Sequence, residues 1–335
     1  MWKILMMISK NLVVAIPTVM ALGFVAGALG NMAWLKSLIV PFTFLMVYPM
    51  MVTLKIREVF SGGNIRAQVV TQAVNFAVIP FLTFGVGWLF FRDQPYMMLG
   101  LLLAGLVPTS GMTISWTGFA KGNVAAAVKM TVIGLTLGSL LTPLYVKGLL
   151  GATVTMNMGT VFQQIALIVF LPMALGYATQ RALVARYGKQ VFAERFAPRF
   201  PALSTLGVLG IVFIALALKA KTIIGAPQML AQILAPLALI YGINYGLSTV
   251  LGRMLLPRGE AIAMVYGTVM RNLSIALAVA INAFGTKGSD AALVVALAYI
   301  IQVQSAAWYV KFTSRLFGPA PVVEPAAPAQ PAGIK

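Results

Sequence analysis

The feature of the sequence that most constrains its fold is a series of ten apolar runs. A helix that crosses a bilayer needs about 20 mostly apolar residues, and short clusters rich in Gly, Pro, Asn or charge separate the runs. A soluble domain with 60% hydrophobic and 9% charged residues would not remain in solution. The sequence therefore predicts an all-α polytopic membrane protein with ten transmembrane helices. These are 11–30, 34–54, 67–91, 97–119, 123–146, 159–180, 203–219, 228–251, 259–284 and 290–312.

The predicted helices divide into two halves of five, residues 1–150 and 157–316. Because an odd number of crossings reverses the direction of the chain, the two halves are predicted to be inverted repeats. The stretch WKILMMISK runs into the first helix without a small-residue cleavage site, so we interpret that helix as retained rather than removed as a signal peptide. The tail, 317–335, is rich in Pro and Ala and is predicted to be disordered.

The distribution of positive charge predicts the orientation. Lys129 and Arg271 lie inside predicted helices. Of the remaining Lys and Arg residues, six lie in the loops on one side: Lys36, Arg92, Lys147, Lys219, Lys221 and Lys287. All the others lie at the termini or in the opposite loops, including Lys55 and Arg57. The excess of positive charge on cytoplasmic loops places both termini in the cytoplasm of a multi-pass inner-membrane protein. The same distribution explains the net charge of +18 without a nucleic-acid partner.

Composition also limits the chemistry. The chain has no Cys and no His, which excludes disulfides, thiolate nucleophiles and the commonest metal ligands. All acidic residues fall in loops, tails or helix ends: Glu58, Asp93, Glu194, Glu260, Asp290 and Glu324. Neither a metal site nor an acid–base pair can therefore be built within the membrane. We predict no metal, no cofactor and no enzymatic activity.

The fourth predicted helix contains the stretch 105-GLVPTSGMTISWTG-118. Pro108 cannot donate a backbone hydrogen bond and clashes with the preceding turn, so an interruption is predicted here, with Gly111 beside it. Thr109, Ser110 and Thr113 could satisfy the freed backbone groups or bind a substrate. Prolines and hydroxyls in membrane helices often serve packing alone, and that alternative stays open.

The ninth predicted helix, 266-YGTVMRNLSIALAVAIN-282, places Arg271 near the middle of the bilayer. A central Arg costs about 2.5–3.5 kcal/mol on insertion scales, which favours a water-accessible functional site over a lipid-facing or structural position. We predict that Arg271, Asn272 and Ser274 contribute to a substrate site, and that Gly267 marks the interruption. A matched pair of interrupted helices, one in each half, is typical of inverted-repeat transporters.

Other polar residues inside the helices are weaker candidates. Lys129 lies about two turns into the fifth helix and could face the site, with Thr131 near it, or extend to the membrane surface. Asn272, Asn244 and Asn75 could be ligands or hydrogen bonds between helices. The pairs Gly23/Gly27 and Gly134/Gly138 fit the spacing of closely packed membrane helices.

Three stretches resemble the bile acid/sodium symporter superfamily, which includes the arsenite permeases: PTSGMTISWTGFAKGNVAAAV, RNLSIALAVAINAFG and FLMVYPMMVTLKIREV. The third resembles the arsenite-permease branch. The resemblance covers essentially all ten helices. It implies a panel domain of helices 1, 2, 6 and 7 and a core domain of helices 3–5 and 8–10. In the core, the broken helices 4 and 9 cross, and the substrate moves by alternating access around that crossing.

The chain departs from the superfamily at its functional positions. The sodium-coupled members have a glutamate at a position near Gly267, a Ser-Asn pair at Thr113–Ile114 and hydroxyls at Ala127 and Thr131. We therefore expect no sodium site of the family type. The arsenite permeases have a Cys at the position of Thr109 and a Glu at that of Ser274. A site with no thiol and added cations fits neutral, thiophilic arsenite poorly.

The leading hypothesis is a secondary transporter of a small organic anion or oxyanion, with charge supplied by Arg271 and Lys129. Proton coupling would use Lys129, because a lysine in an apolar site can release its proton whereas arginine cannot. Arsenical efflux, a sodium-coupled symporter and a passive anion channel are the alternatives. The sequence leaves the oligomeric state open.

Overall fold

A computed structural model describes residues 2–54, 63–152, 154, 158–285 and 287–319. These residues form helices joined by short connections, with no strand among them. Eight of the helices in the described ranges are long and apolar enough to cross a membrane. The chain is therefore an all-helical integral membrane protein.

The helices are numbered in chain order. They are α1 (Trp2–Lys10), α2 (Leu12–Leu29), α3 (Ala33–Val52), α4 (Ile65–Phe91), α5 (Pro95–Leu106), α6 (Gly111–Phe119), α7 (Val124–Leu150), α8 (Gly159–Tyr187), α9 (Lys189–Gly225), α10 (Gln228–Leu255), α11 (Arg258–Val269), α12 (Leu273–Phe284) and α13 (Gly288–Phe317).

Two of the predicted spans are each divided into a pair of shorter helices. Predicted span 97–119 is α5 and α6, and predicted span 259–284 is α11 and α12. Each of the other eight predicted spans overlaps one of the eight long helices, although predicted span 203–219 covers only part of α9. The predicted tail lies outside the described residues from 320 onward, as do Lys55 and Arg57.

The long helices contain prolines without being broken by them. In α4 the five residues before Ile79 form a π-helical turn, and Pro80 follows directly. A wider turn relieves the clash between a proline ring and the carbonyl four residues earlier, which here belongs to Phe76. The Tyr145 hydroxyl of α7 donates to that carbonyl. The backbone acceptor that Pro80 cannot serve is thus satisfied by a neighbouring helix.

Glycines allow the closest contacts between helices. A Cβ at Gly23 or Gly27 of α2 would lie 2.5 Å from the Phe213 carbonyl oxygen and 2.0 Å from the Ala217 carbonyl oxygen of α9, respectively. The predicted packing role of this pair is confirmed, because no larger residue fits there. The helix α9 also contacts α3, which in turn contacts α8.

The most deeply buried stretches are 97–110, 261–280 and 291–299, in which every residue is buried. They include the two interruptions between the short helices and the adjoining half of α13. In a bilayer a non-helical backbone is tolerated only where protein surrounds it. The interrupted helices therefore lie where the fold can satisfy their freed polar groups.

Candidate functional site

The two interruptions meet inside the protein. Pro108 and Arg271 form an isolated antiparallel bridge. The backbone N–H of Asn272 donates to the carbonyl of Val107 at 2.8 Å. Each break therefore satisfies part of the backbone of the other, and the structure brings the two predicted polar stretches together.

A residue that sequence reasoning missed completes this crossing. Gln302 of α13 is fully buried, and its amide pairs with the backbone of Arg271. Its Oε1 accepts from the Arg271 N–H at 2.8 Å, and its Nε2 donates to the Arg271 carbonyl at 3.1 Å. The Tyr241 hydroxyl donates to the same Oε1 at 2.8 Å. The sequence pattern that could have indicated this residue is an amide side chain in the middle of an apolar helix.

The last turn of α11 leaves carbonyls without helical partners, and side chains from other helices bind them. Asn75 Nδ2 donates to the Gly267 carbonyl at 3.0 Å, and Asn244 Nδ2 donates to the Thr268 carbonyl at 2.9 Å. Of the two roles left open for Asn75 and Asn244, the structure places them in hydrogen bonds between helices.

Two capped helix N-termini face the crossing. Ser110 caps α6: its Oγ accepts from Met112 N at 3.2 Å, and its N–H donates to Thr113 Oγ1 at 3.2 Å. Asn272 caps α12, with Oδ1 accepting from Ile275 N at 3.2 Å. Helix N-termini carry partial positive charge. The predicted site residues Ser110, Thr113 and Asn272 therefore build the helix starts.

Thr109 holds the most constrained backbone of the crossing. Its φ is 64°, a left-handed conformation that is costly for a β-branched residue. Its Oγ1 donates to the carbonyl of Thr131 on α7 at 3.1 Å. A Cβ at Gly134 would lie 2.7 Å from that Oγ1, and one at Gly138 would lie 2.5 Å from Pro108 Cδ. The glycine pair of α7 thus makes room for the break.

Three other predicted site residues lie at different places. Gly111 is the first residue of α6, directly after the break. Gly267 lies within α11, so the second interruption is at residues 270–272, where the chain extends to pair with Val107 and Pro108, and not at this glycine. The Ser274 hydroxyl is hydrogen bonded to the Tyr299 hydroxyl at 2.7 Å.

The side chain of Arg271 is only 3% exposed, and neither Nη1 nor Nη2 has a hydrogen-bond partner among the described residues. It lines a small cavity, the inner cavity, between α4, α5 and α10. That cavity is about 10 Å³, which is room for about one water molecule. In this conformation an organic solute does not fit beside the guanidinium.

Lys129 is buried, and its Nζ donates to the carbonyl of Gly63, just before α4, at 3.1 Å. Lys129 is not among the residues that line the inner cavity. The backbone of Thr131, two residues on, contacts Thr109. The structure therefore links Thr131 to the crossing and Lys129 to the beginning of α4.

A much larger cavity lies elsewhere in the described protein. This outer cavity measures about 570 Å³ and lies between α2, α3, the end of α9, the end of α12 and the start of α13. Three lysines line it: Lys36, Lys219 and Lys221. Its apolar wall includes Ile214 and Ala215 of α9. A volume of this size accommodates a small organic molecule, and the lysines favour an anion.

Sequence reasoning placed these lysines in loops and gave them no role in binding. Half of the positive charges predicted on the less basic side line this cavity, a convergence that only the fold reveals. Lys219 Nζ lies 2.5 Å from Asp290 Oδ1, an ion pair between α9 and α13. Lys36 and Lys221 are exposed to the cavity mouth. The cavity therefore carries a surplus of positive charge.

Comparison with known proteins identifies relatives with modest identity. The chain is 26% identical to the arsenical-resistance protein Acr3 of Alkaliphilus metalliredigens (strain QYMF), over 81% of this chain and 79% of the relative. It is 20% identical to the arsenical-resistance protein Acr3 of Corynebacterium glutamicum, over 66% of this chain and 63% of the relative. The uncharacterized sodium-dependent transporter YocS of Bacillus subtilis (strain 168) is 26% identical, over 74% and 75%.

The model of the sodium/bile acid symporter family matches residues 40–226, which is more than half of the chain. The match extends from α3 into the end of α9 and includes the first interruption. With its apolar helices and transporter relatives, the chain is a membrane transporter, and it belongs to the sodium bile acid symporter family.

Proposed function

We propose that the chain is a secondary transporter that moves a small organic anion or oxyanion across the inner membrane by alternating access. The observation that carries this proposal is the outer cavity, where Lys36, Lys219 and Lys221 surround about 570 Å³ with apolar walls behind them. Such a site attracts an anion by charge and holds its carbon skeleton by contact.

The route inward leads toward the crossing. Ile281 and Asn282 of α12 line the outer cavity, and α12 begins at the crossing with Asn272 as its cap. The proposed architecture has ten crossings of the membrane and two inverted repeats, and it is divided into a panel domain and a core domain. With both termini in the cytoplasm, the outer cavity opens to the opposite side, because α2 reaches it at Gly27 and Gly30.

The proposal gives Arg271 a role different from direct substrate binding. Its inner cavity admits about one water molecule, whereas the three lysines border the larger space. Charge recognition of the solute is therefore assigned to the lysines. Thr109, Ser110, Thr113, Asn272 and Ser274 maintain the crossing on which the outer cavity depends.

Transport is proposed to need no sodium. A sodium ion requires several free oxygens, and half-helix C-termini often supply them. Here the Gly267 and Thr268 carbonyls at the end of α11 already accept hydrogen bonds from Asn75 and Asn244. Lys129 remains the proposed proton-coupling residue.

Arsenical efflux is the second candidate, favoured by the two relatives named as arsenical-resistance proteins. A thiol-free site would have to bind arsenite through hydroxyl groups. Thr109 Oγ1 already donates to a carbonyl, and the Ser274 hydroxyl already pairs with Tyr299. The positions that match the permease residues are thus engaged, which favours the anion. A sodium-coupled symporter and a passive anion channel remain as less favoured alternatives.

A ligand-stabilisation screen of the purified protein tests the proposal. The probes are anionic metabolites and arsenite, each with and without sodium. We expect stabilisation by one class of small anion, weakened in Lys221→Gln and retained in Lys147→Gln, a lysine outside the cavity. Stabilisation by arsenite alone, or only with sodium present, would replace this proposal with the corresponding alternative.

A further inference from the structure

We propose that the inner cavity binds a single small inorganic anion, chloride or a similar halide, as the counter-ion of Arg271. This site is separate from the outer cavity, and the inference does not depend on the nature of the transported solute. It rests on the unpartnered guanidinium, on the size and walls of the cavity, and on the sign of the charges around it.

The first observation is the guanidinium itself. Only 3% of Arg271 is exposed, and its two terminal nitrogens have no hydrogen-bond partner among the described residues. Its backbone, by contrast, is fully engaged by Gln302 and Pro108. The backbone thus fixes the position of Arg271 and leaves its terminal N–H groups available beside the cavity.

The second observation is the size of the space. The cavity of about 10 Å³ has room for one water-sized particle, so an organic anion or a sulfate is too large. Its walls are mostly apolar and include Ile79, Leu101 and Ala104. In such a space the donors on one side can offset the cost of removing a monatomic anion from water.

The third observation is charge. No acidic residue of the sequence lies in the interior of a predicted membrane helix, and the ion pair found among the described residues is Lys219–Asp290 at the outer cavity. The other polar residues that line the inner cavity are Tyr241 and Asn244, and both are neutral. The Tyr241 hydroxyl donates a hydrogen bond to Gln302. A buried charge needs compensation, and a water molecule supplies none. A bound halide neutralises the guanidinium.

The test measures thermal unfolding of the full chain in detergent at constant ionic strength. Chloride or bromide replaces gluconate stepwise, and sulfate serves as the oversized anion. We expect a saturable rise of the unfolding midpoint with chloride and bromide and none with sulfate. In bromide-grown crystals, the anomalous signal should give one peak beside the Arg271 guanidinium.

Variants assign the effect to the cavity. Ala104→Val fills the space without touching the charge and should abolish the chloride response, and Arg271→Gln should do the same. Arg253→Gln, an exposed arginine, and Lys221→Gln, at the outer cavity, should keep it. Equal midpoints in all salts would overturn the inference. A chloride response that survives in Ala104→Val but is lost in Lys221→Gln would also overturn the inference. This comparison remains valid even if Arg271→Gln does not fold.

Discussion

The amide of Gln302 pairs with both backbone groups of Arg271, accepting from its N–H at 2.8 Å and donating to its carbonyl at 3.1 Å. A glutamine side chain thus takes the place that a neighbouring strand would occupy. The extended chain at the second interruption is held on one side by Pro108 and on the other by Gln302. This arrangement allows a non-helical segment to exist in the buried interior.

Replacing Gln302 by Leu should destabilise the protein strongly. Two backbone groups of Arg271 lose their partner while buried, and each unsatisfied group costs about 1–3 kcal/mol. The matched control is Gln304→Leu, which removes one bond from a partly buried amide to the Val13 carbonyl. Thermal unfolding in detergent measures both. Equal midpoints for the two variants would contradict the assigned role of Gln302.

The glycines of α7 should not tolerate a methyl group where the first break lies against them. A Cβ at Gly138 would approach Pro108 Cδ to 2.5 Å, so Gly138→Ala must displace the break, at a cost of about 1–3 kcal/mol. Gly148→Ala in the same helix is the control, since nothing lies within 4 Å of its Cβ position. Unfolding midpoints and transport rates report the difference. The prediction fails if Gly138→Ala behaves like Gly148→Ala.

The first interruption could be located from the sequence alone because its cause is local, whereas the second, at residues 270–272, was expected at Gly267. A proline such as Pro108 lacks a backbone hydrogen-bond donor in any helix. An apolar run long enough to cross a bilayer can be recognised without tertiary information. The family resemblance added the crossing. These features account for the helices and for the meeting of the 107–110 and 270–272 segments.

The convergence of residues from distant helices was not predictable in the same way. Lys36 lies in α3, and Lys219 and Lys221 lie in α9, far away in the chain, so only packing brings them to one cavity. Arg271 is recognisable from the sequence as unusual, because a charged residue is rare inside an apolar helix. The size of the space beside it depends on α4, α5 and α10 together, so its expected contact with an organic solute could not be judged beforehand.

Asp290 should oppose anion binding in the outer cavity. It pairs with Lys219 and partly cancels its charge, although its side chain is 39% exposed. Asp290→Asn should therefore tighten the binding of the transported anion about two- to fivefold, since exposed charge pairs have modest energies. Lys221→Gln should weaken it. Binding titrations at low salt measure both, and a change of the same sign in the two variants would refute the electrostatic assignment.

Lys129 should matter for stability rather than for affinity. Its ammonium group donates to the Gly63 carbonyl, and loss of such a charged hydrogen bond costs about 1.5–3 kcal/mol. Lys129→Met should therefore lower the unfolding midpoint. The affinity of the outer cavity should stay unchanged, because Lys129 does not line it. A weakened affinity with an unaltered unfolding midpoint would place Lys129 in the binding site instead.

The chain is expected to concentrate an anion without sodium. The most direct measurement is uptake of the best-binding anion into proteoliposomes, with sodium absent on both sides and a proton gradient imposed. We expect accumulation above the external concentration, reduced in the Lys36→Gln/Lys221→Gln double variant and intact in Lys147→Gln. Uptake that stops at equal concentrations, requires sodium, or moves arsenite in preference to every anion would contradict it.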